Sequence, residues 1–78
     1  MPTVLRREGL EFFFYSNEGT EPPHVHVWSG NGTAKFWLDP IELSYSEDLK
    51  GAELRRAREI VEEQRDEFLR RWNEHIGS

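Results

Sequence analysis

The spacing of apolar residues changes near Lys50. Before that point they alternate with polar ones in short runs; beyond it they recur every third or fourth position. The first pattern marks half-buried strands and the second an amphipathic helix. Strand-like runs cover Thr3–Arg7, Leu10–Ser16, His24–Ser29, Thr33–Leu38 and Ile41–Tyr45. Glu8-Gly9 between the first two predicts a tight hairpin, and Gly30-Asn31-Gly32 predicts another. Asn17 to Pro23 is polar, with a Pro pair, and reads as a loop; Asp39-Pro40 reads as a turn.

Along the helical segment Leu54, Ala57, Val61, Phe68, Trp72 and Ile76 fall on one stripe, widened by Ile60 and Leu69. Glu59, Glu63, Asp66, Glu67, Arg70 and Arg71 occupy the other side. Gly77 is a natural stop. The start is poorly specified, because Lys50 cannot cap a helix and Arg55, Arg56 and Arg58 oppose the dipole. The chain therefore predicts one α+β domain, residues 1–78. Residues 1–45 form an antiparallel meander of about five strands, and residues 50–76 form one long helix packed on one sheet face.

Strand parity sorts the side chains. Turns at Glu8-Gly9, Asn31-Gly32 and Asp39-Pro40 set Leu5 opposite Phe12, Val4 opposite Phe13, Val27 opposite Phe36, His26 opposite Trp37, and Trp37 opposite Glu42. The helix side then carries Leu5, Phe12, Phe14, Val25, Val27, Ala34, Phe36, Leu38, Ile41, Leu43 and Tyr45. The other side carries Phe13, Tyr15, His24, His26, Trp28, Lys35, Trp37, Glu42 and Ser44. One helix cannot cover both sides, so the second is expected to be open. An exposed aromatic surface of that kind marks a place where something binds.

Composition narrows the classes. A chain of 78 residues is one small, marginally stable domain. It has no cysteine, which excludes disulfides, thiolate metal sites and a cysteine nucleophile. Net charge of −5 disfavours broad binding to phosphate backbones. No apolar stretch approaches the roughly 20 residues of a membrane span, and the start lacks the charge order of a secretory signal. A cytoplasmic protein without a membrane partner is expected.

The segment Pro22-Pro23-His24-Val25-His26-Val27 concentrates the candidate chemistry. His-x-His on a strand sets both imidazoles on one side, about 6–7 Å apart at Cα. Two such nitrogens suit a divalent transition metal, with Glu18, Glu21, Glu42 or Asp39 to supply a third ligand. The plainer alternative is that the imidazoles stack on Trp28 and Trp37. A second option is acid–base work: His24 or His26 moving a proton and Lys35 holding a phosphate, as in cutting RNA. Against it stand a solvated Lys35 or a simple cross-strand pair of Lys35 with Glu42. Arg65 lies inside the apolar stripe; its stem is expected to pack while its guanidinium reaches the sheet edge, the alternative being a buried pair with a sheet carboxylate.

Phe12-Phe-Phe-Tyr-Ser-Asn-Glu-Gly, Glu21-Pro-Pro-His-Val-His-Val, Ala34-Lys-Phe-Trp-Leu-Asp-Pro, Glu53-Leu-Arg-Arg and Trp72-Asn-Glu together resemble a bacterial family, domain of unknown function 4160. The resemblance spans nearly the whole chain. It implies His24, His26, Lys35 and Trp37 as motif positions and no established activity. It also implies a neighbouring gene for a second small protein, in pairs suggested to be toxin–antitoxin-like. Many members place another His where this chain has Glu18-Gly19, and a capping Ser where it has Lys50.

Two functions are thus expected. One is a protein-binding component of such a pair, using Tyr15, Trp28, Trp37 and Glu42 on the open face. The other is a small ribonuclease or metal-dependent hydrolase using His24, His26 and Lys35. A homodimer sealing the same face is the structural alternative.

Overall fold

The structure is a computed structural model that describes residues 3–15 and 20–77. The strands are β1 (Thr3–Arg7), β2 (Leu10–Phe13), β3 (His24–Trp28), β4 (Thr33–Leu38) and β5 (Ile41–Glu47). The helices are α1 (Ala52–Glu63) and α2 (Arg65–Gly77). The five strands form one antiparallel sheet whose spatial order is the order of the chain. The α+β meander is as expected.

Each hairpin follows from its turn chemistry. Arg7 pairs with Leu10 across Glu8-Gly9, both at positive φ (55° and 78°). That is the conformation a two-residue turn with the right twist demands, and Gly accepts it freely. Leu38 pairs with Ile41 across Asp39-Pro40. The β3–β4 loop is longer than expected. Trp28 pairs with Thr33, so Ser29–Gly32 forms the loop, closed by Ser29 N–H donating to Gly32 O at 3.0 Å. Val27 therefore faces Ala34 and His26 faces Lys35, a two-residue slide from the expected register. A slide of two keeps every residue on its side of the sheet.

Two bulges do move side chains. On β1, Thr3 rather than Val4 opposes Phe13 while Leu5 keeps Phe12, and Val4 and Leu5 both lean on the core. On β5, Leu43 opposes Phe36 but Tyr45 opposes Lys35. Ser44 is the extra residue, and Tyr45 crosses from the helix side to the other side. An inserted residue reverses the alternation that follows it. Beyond β5 the backbone of Asp48 runs against Gly32 so tightly that a Cβ there would collide with the Asp48 carbonyl. Leu49 is then delivered, fully buried, to the helix side.

The expected single helix is two. The break falls at Gln64, whose N–H still donates to Ile60 O at 2.9 Å and whose carbonyl accepts from Phe68 N–H at 2.8 Å. Neither Gly nor Pro marks it. Arg65 follows the break: Nε donates to Leu38 O at 2.9 Å and Nη2 to Asp39 Oδ1 at 2.8 Å. The first residue of α2 is thus pinned to the β4–β5 turn. As Lys50 foreshadowed, α1 starts with no side-chain cap, on Gly51 at φ 65°.

The core joins Phe12, Phe14, Val25, Val27, Phe36 and Leu38 of the sheet side to Ala57, Ile60, Val61, Phe68 and Trp72 of the helices. Burying each large side chain contributes about 1.5–3 kcal/mol, which is how so short a chain holds together. A carboxylate cluster locks the first hairpin down. Arg56 reaches Glu8 at 2.6 Å, Glu59 at 3.1 Å and Glu63 at 3.3 Å, and Arg7 reaches Glu63 at 3.0 Å. Arg56 is accordingly an internal clamp.

Candidate functional site

On the side of the sheet away from α1, pairing lays residues out in rows. Glu11, Trp28 and Thr33 form one row. Thr3, Phe13, His26, Lys35 and Tyr45 form the next. His24, Trp37 and Glu42 form the third. Tyr15 follows β2 at its end and closes over His26, ring centroids 4.5 Å apart. His24, His26, Lys35, Tyr15, Trp28, Trp37 and Glu42 therefore share this face, and Tyr45 joins them.

The face is not uniformly open. Phe13 and His26 are each 5% exposed and His24 is 0% exposed. His26 stacks on Phe13 at 5.5 Å and meets His24 edge-on at 5.1 Å. His24 lies at the start of β3, at the rim of the sheet, where it touches Trp37 at 5.5 Å and Trp72 of α2 at 4.8 Å. One imidazole thus sits partly under a helix that was expected to stay on the far side. Nothing in the residue pattern announced this contact, because it follows from the break at Gln64. His75, one turn beyond Trp72, lies with Nε2 3.1 Å from the Tyr15 carbonyl, so α2 also grips the end of β2.

The charged groups are engaged. Lys35 Nζ donates to Glu21 Oε1 at 2.6 Å and lies 4.4 Å above the Trp37 ring. Its partner is therefore Glu21 and not the Glu42 that strand pairing suggested. Glu42 stands opposite Trp37 and is exposed. The same Glu21 oxygen is 3.8 Å from His24 Nδ1. That nitrogen lies 2.9 Å from Pro22 O, which can only accept, so Nδ1 carries the hydrogen. The Pro pair presents its carbonyl to the ring that follows it. Glu21 links the imidazole to the ammonium that lies over the Trp37 indole, a role that the residue pattern did not suggest. Its signal was its position three residues before His24.

As to metal, Asp39 is held by Arg65. Among the described residues no three His, Asp or Glu side chains are grouped to hold an ion. Glu18, the remaining candidate for third ligand, and Ser16 at the expected end of the second strand lie outside the described residues.

What this face offers solvent is aromatic. Tyr15 is 44% exposed and Trp28 49%. They flank a groove of about 310 Å³ floored by Phe13 and edged by Glu11 and Thr33. Behind Trp28 a smaller hollow of about 190 Å³ runs to Arg6 and Arg7. Trp28 is a ridge between the two.

A family model described as domain of unknown function (DUF4160) matches residues 9–73. The chain belongs to that family. The match takes in the sheet from the first turn onward, the Pro-Pro-His-x-His segment, and both helices through Trp72. Neither a curated protein nor a solved structure matches it. Among the described residues no helix is long and apolar enough to cross a membrane.

Proposed function

We propose that this member of the family is a protein-binding domain whose partner is a small protein encoded by an adjacent gene, in a toxin–antitoxin-like pair. The observation that carries the reading is the groove between Tyr15 and Trp28. Large aromatic side chains are costly to leave half exposed, and they are the residues around which interfaces concentrate their energy. Phe13 gives the groove an apolar floor, and the Lys35–Glu21 pair stiffens the adjoining part of the face. The domain would meet its partner as a largely preformed surface.

The alternative, a ribonuclease or metal-dependent hydrolase built on His24, His26 and Lys35, has less support. A general acid or base must come within hydrogen-bond reach of a substrate. Here both imidazoles are buried among aromatic rings, and Lys35 is already paired with Glu21. A homodimer through the groove would use the same aromatics.

The test is co-expression with the product of the neighbouring gene. Co-purification is expected, with a change in Trp28 emission on mixing. Trp28→Ala should weaken the complex by about 2 kcal/mol or more, the size of an interface hot spot. Sedimentation as a monomer removes the homodimer. RNA cleavage abolished by His26→Ala in a folded protein would favour the hydrolase.

A further inference from the structure

β5 is an edge strand, and it is exposed from Glu42 to Glu47. An edge strand presents unpaired backbone donors and acceptors, and native proteins commonly blunt it with Lys, Pro or a covering loop. Ile41–Glu47 contains neither Lys nor Pro. Among the described residues its guards are the bulge at Ser44 and the charges of Glu42 and Glu47.

Beside this edge, on the helix side, lies a hollow of about 220 Å³ lined by Phe36, Leu43, Gly51, Leu54, Arg55 and Arg58. Leu43 is 39% exposed there, so the core is left open along β5. The rim is basic. Arg58 has only a loose contact with Glu62 at 3.5 Å, and among the described residues Arg55 has no carboxylate within 4 Å.

We infer that β5 is a strand-addition site for an extended segment of a partner protein, one whose alternate side chains are apolar and then acidic. The backbone of the segment would continue the sheet. Its apolar side chain would fill the hollow against Phe36, Leu43 and Leu54, and its carboxylate two residues on would meet Arg55 and Arg58. Main-chain pairing gives such complexes their affinity, and the pockets beside the edge give their specificity.

A second copy of this chain fits less well. Register places Ile41, Leu43 and Ser46 on the helix side of β5, and Glu42 and Glu47 on the other. A partner β5 would bring no carboxylate to Arg55 and Arg58, and would set its own Glu42 and Glu47 among their counterparts. Like charges across paired strands are unfavourable. The same reasoning asks for basic residues at the segment's intervening positions, facing Glu42 and Glu47. This site is separate from the Tyr15–Trp28 groove.

The experiment is selection of displayed random short peptides on the full-length chain, followed by anisotropy titration of a labelled winner. Enrichment of the pattern apolar, basic, acidic is expected. The double substitution Arg55→Glu, Arg58→Glu should weaken the peptide about tenfold, the sum expected of two reversed exposed charges. Leu43→Asp should remove binding while melting as the parent does, and N-methylation of the peptide's edge-facing amides should remove it too. Trp28→Ala should leave it unchanged, which separates this site from the aromatic groove. No enrichment, or winners that bind the double variant equally well, would overturn the inference. So would a concentration-dependent dimer abolished by Leu43→Asp.

Discussion

His24 and Trp72 pack ring against ring, 4.8 Å between centroids, one from the first position of β3 and the other from the middle of α2. Trp72 also meets Phe14 edge-on at 5.4 Å. The indole therefore closes the end of the core and shelters the imidazole together. Trp72→Ala should destabilise by about 3–5 kcal/mol, as large-to-small core changes do. For a domain this small that is most of its stability. Urea denaturation would show it, with Trp72→Phe recovering part of the loss.

Trp28 makes the opposite forecast. Half of it is already in water, so Trp28→Ala should change stability by less than about 1 kcal/mol, as surface substitutions do. The same variant should lose the partner. A large drop in the melting temperature would mean that Trp28 holds the sheet together and would undercut its role as an anchor.

Gly32→Ala is expected to cost about 1–3 kcal/mol, toward the upper end, because the added methyl meets the backbone of Asp48 and not a movable side chain. The test is a thermal melt beside Gly30→Ala. The latter has open space for a Cβ and should lose stability only through its φ of 93°.

The clamp around Arg56 sets an acid limit. Its hydrogen bonds hold the Glu8 carboxyl below its ordinary 4.5, and the hydrogen bonds of Arg70 and Arg71 do the same for Glu67. Lowered carboxylates favour the fold while ionised. Their contribution is complete above about pH 4.5, the unfolded value, and is lost as pH falls through the lower folded values. The melting temperature should drop across that acid range, and less steeply in Glu8→Gln than in the parent.

Much of this was legible in the residues. Glu8-Gly9 and Asp39-Pro40 announced their hairpins, and parity placed Phe12, Val25, Val27, Phe36 and Leu38 against the helices. His26, Lys35, Trp28 and Trp37 were rightly grouped on the opposite side. Three things were hidden. The bulge at Ser44 that turns Tyr45 over has no residue signature, since Ser and Tyr suit regular strands as well. The break at Gln64 has neither Gly nor Pro to mark it, although the reach of Arg65 to Leu38 O and Asp39 at the sheet edge was expected from its place in the apolar stripe. The burial of His24 follows from that break, because it is the direction of α2 that carries Trp72 to the rim.

The meander also has a kinetic consequence. Neighbours in sequence are neighbours in the sheet, so no strand waits for a distant mate, and such topologies form faster than sheets with crossovers. Synthesis delivers the strands in their order of assembly and delivers Trp72 after all of them. Until then Phe14 and His24 have no lid. A nascent or clipped chain ending before α2 would carry a nearly complete sheet with an oily, uncovered end, a species that cellular quality control would be expected to remove.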